Sequence, residues 1–351
     1  MIKKWVAEAV YLAAVLIILC CFVREKKEAI VVNGAEDSVL TADGSEQKES
    51  LENGDDGTET EPGEIDTEAQ NPNEKEKIDN SEIGNREEVP PENVMKEDNS
   101  GNKIGSVKIS NENYEQYDNT THAWWFKRKN DHSPSGSGEA FSIEEYGGYY
   151  LDKAATEEDK VIYLTFDCGY ENGFTPGILD TLAEQKVKAL FFVTKDFVVK
   201  NPEYVVRMKE EGHLVGNHTV RHLSSPVLTP EELMTELDEV AQTMYVLTGY
   251  QMDPFFRPPM GEYSERTLKA SQDLGYSSLF WSIAYYDYDV NDQPGKDYVI
   301  DHFKTYHHNG AVILMHNTSQ SNAEALKEVI ELLKEEGYRF GEVGEMTVKA
   351  E

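Results

Sequence analysis

The chain predicts an α/β fold built on a parallel sheet, and three observations carry that expectation. Short apolar runs of strand length recur at Val161–Phe166, Ala189–Val193, Leu214–Asn217, Phe255–Phe256, Ser277–Trp281, Ala311–Met315 and Tyr338–Phe340. Helical segments lie between them, several with a start signal. Thr175-Pro176 and Asn201-Pro202 each offer a cap followed by proline at the first helical position. Thr229-Pro230-Glu231-Glu232 adds a capping box. Third, Gly212, Gly275, Gly310 and Gly337 each stand where a helix hands over to the next strand, the left-handed position that suits glycine. Alternating strands and helices imply crossover connections, hence a parallel sheet, either a barrel or a doubly wound one.

Ahead of this region the chain changes character twice. Lys3 and Lys4 precede an uncharged run from Ala9 to Val23, after which come Arg24, Lys26 and Lys27. Val6–Val23 approaches the lower limit for a spanning helix, and no small-x-small cleavage site lies near Leu19-Cys20-Cys21-Phe22. Residues 1–30 therefore read as an uncleaved signal anchor, with a secreted protein cut at a poor site as the alternative. Residues 31–110 hold 22 acidic and 7 basic side chains and no Phe, Trp or Tyr. Such a segment has too little apolar surface to offset its ordering entropy, so it is expected to be a disordered spacer. Residues 111–158 are rich in aromatics (Trp124, Trp125, Phe126, Tyr146, Tyr149, Tyr150) and are expected to pack on the main domain, 159–351. Those tryptophans could stack on sugar rings, although burial is the commoner fate of aromatics.

Composition excludes some functions. The 351 residues carry 66 Asp and Glu against 33 Lys and Arg, a net charge of −33. Nucleic acid is not an expected partner, because phosphate binding needs clustered cations. Collagen, coiled-coil arrays and multi-span membrane proteins are excluded by composition and hydropathy. Cys168 stands alone in 111–351, so no disulfide framework exists there. The acidic surface argues for a monomer.

Polar residues collect at one end of the expected strands. Asp167 follows the first, His218 and His222 the third, Arg257 the fourth, Asp287 the fifth and His316 the sixth. Carboxyl ends of parallel strands carry the active sites of barrels and open sheets. His218-x-x-x-His222 would present both imidazoles on one face of a helical turn, where a metal could bind; surface or capping histidines are the bland alternative. His213, His302, His307 and His308 read as packing, surface or helix-terminal residues.

In order and spacing, Thr165-Phe166-Asp167-Cys168-Gly169, His218-x3-His222, Arg257-Pro258-Pro259-x-Gly261, Asp287-Tyr288 and Leu314-Met315-His316 resemble the five motifs of the polysaccharide deacetylase family. That resemblance implies a NodB-homology fold, a distorted (β/α)7–8 barrel, over about 161–345. Cys168 replaces the usual second aspartate, and Ala284 stands where many members have aspartate. With His316-Asn317-Thr318-x3-Asn322-Ala323-Glu324-Ala325, Trp125-Phe126-Lys127 and Asp131-His132, these departures resemble the muramic δ-lactam de-N-acetylases of spore cortex. The resemblance implies hydrolysis of an acetamide on peptidoglycan, with a divalent metal, most often zinc, held by His218 and His222. It further implies Asp167 as general base, Arg257 as its partner, His316 as general acid and Asp287 as the carboxylate orienting it. Pro258, Pro259 and Gly261 would shape the arginine loop, Leu314 would line the acetyl pocket and Tyr285, Tyr286 and Tyr288 would meet substrate. Cys168 is either a thiolate ligand or a poorly ligating replacement that leaves a two-histidine site. N-Acetylglucosamine is the alternative sugar, and a non-catalytic glycan-binding module on a degenerate barrel is the alternative class. The catalytic domain would act outside the cytoplasmic membrane, in sporulation or in vegetative lysozyme resistance.

Overall fold

The computed structural model describes Val39–Leu40 and residues 112–348. The expected anchor, 1–30, and nearly all of the acidic spacer lie outside the described residues. Among those described, no helix is long and apolar enough to cross a membrane.

The main sheet is parallel. Its strands are β1 (Val161–Cys168), β2 (Leu190–Val193), β3 (Leu214–Asn217), β4 (Phe255–Phe256), β5 (Ser277–Leu279), β6 (Ala311–His316) and β7 (Arg339–Phe340). They lie side by side as β6-β1-β2-β3-β4-β5, with β7 also pairing β1. All eight residues of β1 are buried, the continuous apolar pattern of a strand covered on both faces. Alternation sorts them: Ile162, Leu164, Phe166 and Cys168 enter the cluster shared with the helices. Val161 and Tyr163 turn the other way, to meet Leu190, Phe192, Phe255, Leu279 and Val312.

The helices are α1 (Thr175–Gln185), α2 (Lys195–Lys200), α3 (Pro202–Glu210), α4 (Pro230–Thr248), α5 (Glu265–Asp273), α6 (Lys296–Tyr306), α7 (Gln320–Glu335) and α8 (Val343–Val348). The capping box of α4 forms as expected, Thr229 with Glu232. Gly212, Gly275, Gly310 and Gly337 all adopt positive φ. The cap expected at Thr175 does not form: its hydroxyl accepts a bond from Asn317 Nδ2 at 2.9 Å instead. Asn201 makes no side-chain cap either, because its amide donates to Phe197 O.

The strands wrap into an incomplete barrel rather than a full one, and the segment 112–158 fills the missing wall. Its two-residue strand Gly148–Tyr149 pairs with β5, while Leu151 bridges to Ala311 on β6. Above this, Ile283 bridges directly to Ile313. The carbonyls of 281, 282 and 284 accept bonds from Trp124 Nε1 (2.9 Å), Ser135 Oγ (2.9 Å) and Arg128 Nη2 (3.2 Å). Trp124 and Phe126 are buried, with Trp124 stacked on Phe280 at 4.6 Å, whereas Trp125 is exposed.

Candidate active site

The site is assembled at the carboxyl ends of the strands, with two residues from the turn after β3. Asp167, the penultimate residue of β1, accepts a bond from Arg257 Nη1 at 2.7 Å. Arg257 follows β4 directly and is fully buried; its Nε donates to Leu279 O, and its guanidinium lies over the Phe192 ring at 4.3 Å. Burial pushes the Asp167 carboxyl up, but Arg257 and then His218 more than offset it, so it ionises below the ordinary carboxylate value. Asp167 is thus held as a carboxylate in a nearly dry place, with His218 Nε2 3.5 Å from its second oxygen.

The His218–His222 pair does not lie on a helix. After β3 the chain enters an irregular loop in which Thr219 (φ 69°) and His222 (φ 53°) both take left-handed backbone. This brings the two rings to 4.8 Å by a tight turn instead of by helical periodicity. Several bonds hold the turn. Thr219 N donates to Asn217 Oδ1 and His222 N to Thr219 Oγ1, each at 3.0 Å. The buried carboxylate of Glu236, on α4, accepts from Val220 N (2.8 Å), Arg221 N (2.9 Å) and Arg221 Nε. Sequence reading passed over Glu236, although a carboxylate among Leu233, Leu237 and Val240 on the apolar stripe of α4 was a visible signal.

His316 ends β6 and is paired with Asp287. Its Nδ1 donates to Asp287 Oδ1 at 2.7 Å and its backbone N to Asp287 Oδ2 at 2.9 Å. Burial lowers the His316 pKa, but Asp287 outweighs it, and the imidazole titrates above its ordinary value. Asn322 Nδ2 donates to Asp287 Oδ2 at 2.6 Å, an arrangement that strand patterns could not anticipate. Tyr285, expected to touch substrate, is buried and donates its hydroxyl to Asn322 Oδ1 at 2.7 Å, so it faces away from any ligand. Tyr288 is exposed and sits edge-on to His316 at 5.8 Å. Leu314, two residues below His316 on the same strand face, packs with Trp281 and Ala284. Pro258, Pro259 and Gly261 are buried in the loop after Arg257, where Met260 (φ 58°) and Gly261 (φ 65°) are both left-handed.

Cys168 is the last residue of β1. β1 runs straight through it, so the one-residue step from Asp167 inverts the face and buries the thiol in the apolar cluster beneath the helices. Burial, and then Asp167 and Glu171, push the thiol well above its usual pKa. Of the two readings of Cys168, its burial among apolar side chains favours the poorly ligating one. Among the described residues no three His, Cys, Asp or Glu side chains form a metal-holding group. The two imidazoles nevertheless suit a metal. His218 Nδ1 donates to Arg257 O at 2.9 Å, which leaves Nε2 as a lone-pair donor, and burial lowers its pKa to about 4, so the ring is neutral.

A carboxylate paired with a buried arginine, two neighbouring imidazoles and a third imidazole paired with a carboxylate, all at the carboxyl ends of the strands, are groups from which a hydrolytic site can be built. The model of the polysaccharide deacetylase family matches residues 154–279. The Peptidoglycan-N-acetylmuramic acid deacetylase PdaA of Bacillus subtilis is 42% identical over 230 residues, 65% of this chain and 86% of that protein. Its solved structure, described as a family 4 carbohydrate esterase, superposes with a TM-score of 0.63 at 41% identity, covering 67% of this chain and all of the other. A peptidoglycan-N-acetylglucosamine deacetylase of Bacillus cereus is 31% identical over 202 residues, 56% of this chain and 92% of that protein. The chain belongs to the polysaccharide deacetylase family and is a hydrolase acting on carbon–nitrogen bonds other than peptide bonds.

Proposed function

We propose that this protein removes the acetyl group from N-acetylmuramic acid in peptidoglycan, releasing acetate and leaving an amine that can close on the lactyl carboxylate as a muramic δ-lactam. The observation that carries the reading is the pairing, on adjacent strands, of Asp167, held by Arg257, with His316, held by Asp287, in a chain 42% identical to a muramic acid deacetylase.

In this reading Asp167 takes a proton from the attacking water. Arg257 keeps it deprotonated and fixes its oxygen toward the site. His316, with Nδ1 committed to Asp287, presents Nε2 to the leaving nitrogen and gives it a proton. His218 and His222 would hold a divalent cation, zinc by preference, which when bound polarises the acetyl carbonyl and acidifies the water. With two imidazoles as the protein ligands, binding is weak. Leu314 and the Pro258-Pro259 loop shape the acetyl pocket, and Tyr288 offers a rim for the sugar. The chain acts at the outer face of the cytoplasmic membrane, anchored through residues 1–30 and spaced by 31–110, and it serves spore-cortex formation.

The test is incubation of the zinc-loaded protein with defined glycan strands, with and without stem peptides, read by mass spectrometry. Loss of acetyl from peptide-free muramic acid, then of water, is expected. Loss from glucosamine alone would move the reading to the second sugar, as in the Bacillus cereus relative. No loss from either would favour a glycan-binding module.

A further inference from the structure

We infer that Asn322 and Tyr285 form a positioning relay that fixes the His316–Asp287 pair, with Tyr285 anchoring the far oxygen of the Asn322 amide. The inference rests on the assignment of His316 as general acid. Asn322 lies in the first turn of α7, and its backbone N is capped by Ser319 Oγ at 3.1 Å, so its position does not depend on its own side chain. The amide of Asn322 then meets both members of the pair at once. Its Nδ2 donates to Asp287 Oδ2 at 2.6 Å and to the main-chain carbonyl of His316 at 3.2 Å. One amide nitrogen has two protons, and both are spent on holding the carboxylate and the strand end in register.

The amide is useful in one orientation only. Turned over, Asn322 Oδ1 would face the Asp287 carboxylate and the His316 carbonyl, two acceptors with no proton between them. Those two acceptors therefore fix the amide's orientation, and Tyr285 completes it by donating its hydroxyl to the remaining Oδ1 at 2.7 Å. Its ring is itself immobilised, packed 4.7 Å from the His302 ring and edge-on to Phe303 and Tyr298 at 6.0 Å each. Tyr285, Asn322 and Asp287 are all buried, so no water competes for these bonds. The order of action runs from a rigid aromatic cluster, through a hydroxyl and an amide, to a carboxylate and the imidazole it orients. Neither residue touches the reacting atoms.

The experiment compares wild type, Tyr285→Phe, Asn322→Leu, the double variant and His316→Ala. Acetate release from peptidoglycan gives kcat and KM. Proton NMR of the metal-free protein follows the downfield resonance of the proton between His316 Nδ1 and Asp287. Asn322→Leu is expected to lower kcat roughly tenfold to a hundredfold with KM little changed, since misplacing a reacting group costs rate more than binding. Tyr285→Phe should lower it less, and the double variant should be no slower than Asn322→Leu alone, because the hydroxyl acts through the amide. The resonance should shift or broaden in each. Additive losses, or unchanged kcat with an unchanged resonance, would overturn the relay. If Asn322→Leu does not fold, Tyr285→Phe alone decides by the same two readouts. Wild-type turnover in His316→Ala would overturn the acid assignment itself, and the relay's catalytic role with it.

Discussion

Asp167 is at once the proposed base and half of a buried ion pair, so its replacement acts twice. Asp167→Asn should cut turnover by about 10²–10⁴-fold, the usual worth of a general base. It also strands the Arg257 guanidinium in a dry site, a loss of about 3–5 kcal/mol that a thermal melt would register. The pH dependence follows from the two shifts. Asp167 titrates lower when folded, so its stabilisation is present above the ordinary carboxylate pKa and is lost as pH falls through the folded value. His316 titrates higher when folded, so its stabilisation is complete below about 6.5 and is lost as pH rises through the folded value. The basic limb of kcat should therefore lie above about 6.5 in wild type, and Asp287→Asn should move it down. At Cys168 the expectation is silence: Cys168→Ala should leave zinc affinity, read by calorimetric titration, unchanged. Cys168→Asp should lower the melting temperature, because the carboxylate would enter the apolar cluster.

Among the elements, the turn from β3 carries the most geometry in the fewest residues. Two non-glycine residues in left-handed backbone are costly by themselves. They persist because Glu236 reaches across from α4 to take the backbone amides between them. Glu236→Ala should weaken zinc binding about 10–100-fold, the range for a residue that orients ligands; calorimetric titration with zinc would show it. This turn also marks how far sequence could be read. The spacing of His218 and His222 was plain, and so was their place after a strand. A helical turn is the local default for that spacing, and the override comes from a carboxylate on another element, which no local pattern announces. Asp167, Arg257, Asp287 and His316 were legible because strand ends are legible. Tyr285 was misjudged because adjacency in sequence to Asp287 says nothing about which way a side chain leaves the chain, and the bond to Asn322 settles that. Cys168 was left open because the end of β1 was placed two residues too early, and with it the face on which the thiol falls.

In the whole molecule, the segment 112–158 is part of the barrel wall and not an ornament on it. Its residues close the space between β5 and β6, and Trp124 sits at the join with its ring on Phe280 and its Nε1 on Trp281 O. Trp124→Ala should cost about 3–5 kcal/mol, read as a lower melting temperature, and should lower activity through Trp281, which flanks Arg257. The aromatic content of this stretch foretold the burial of Trp124 and Phe126 but not the exposure of Trp125; its strand pairing with β5 was beyond reach, since a two-residue strand carries no periodicity. The position of β1 has a further consequence. Its neighbours are β2, which follows at once, β7, and β6, whose Ala311 must find Ile162. As the chain emerges, the edge of β1 bearing Asp167 and its neighbours waits, unpaired, for nearly the whole domain to be synthesised. Pairing residues so far apart in sequence raises the contact order, which is expected to slow folding.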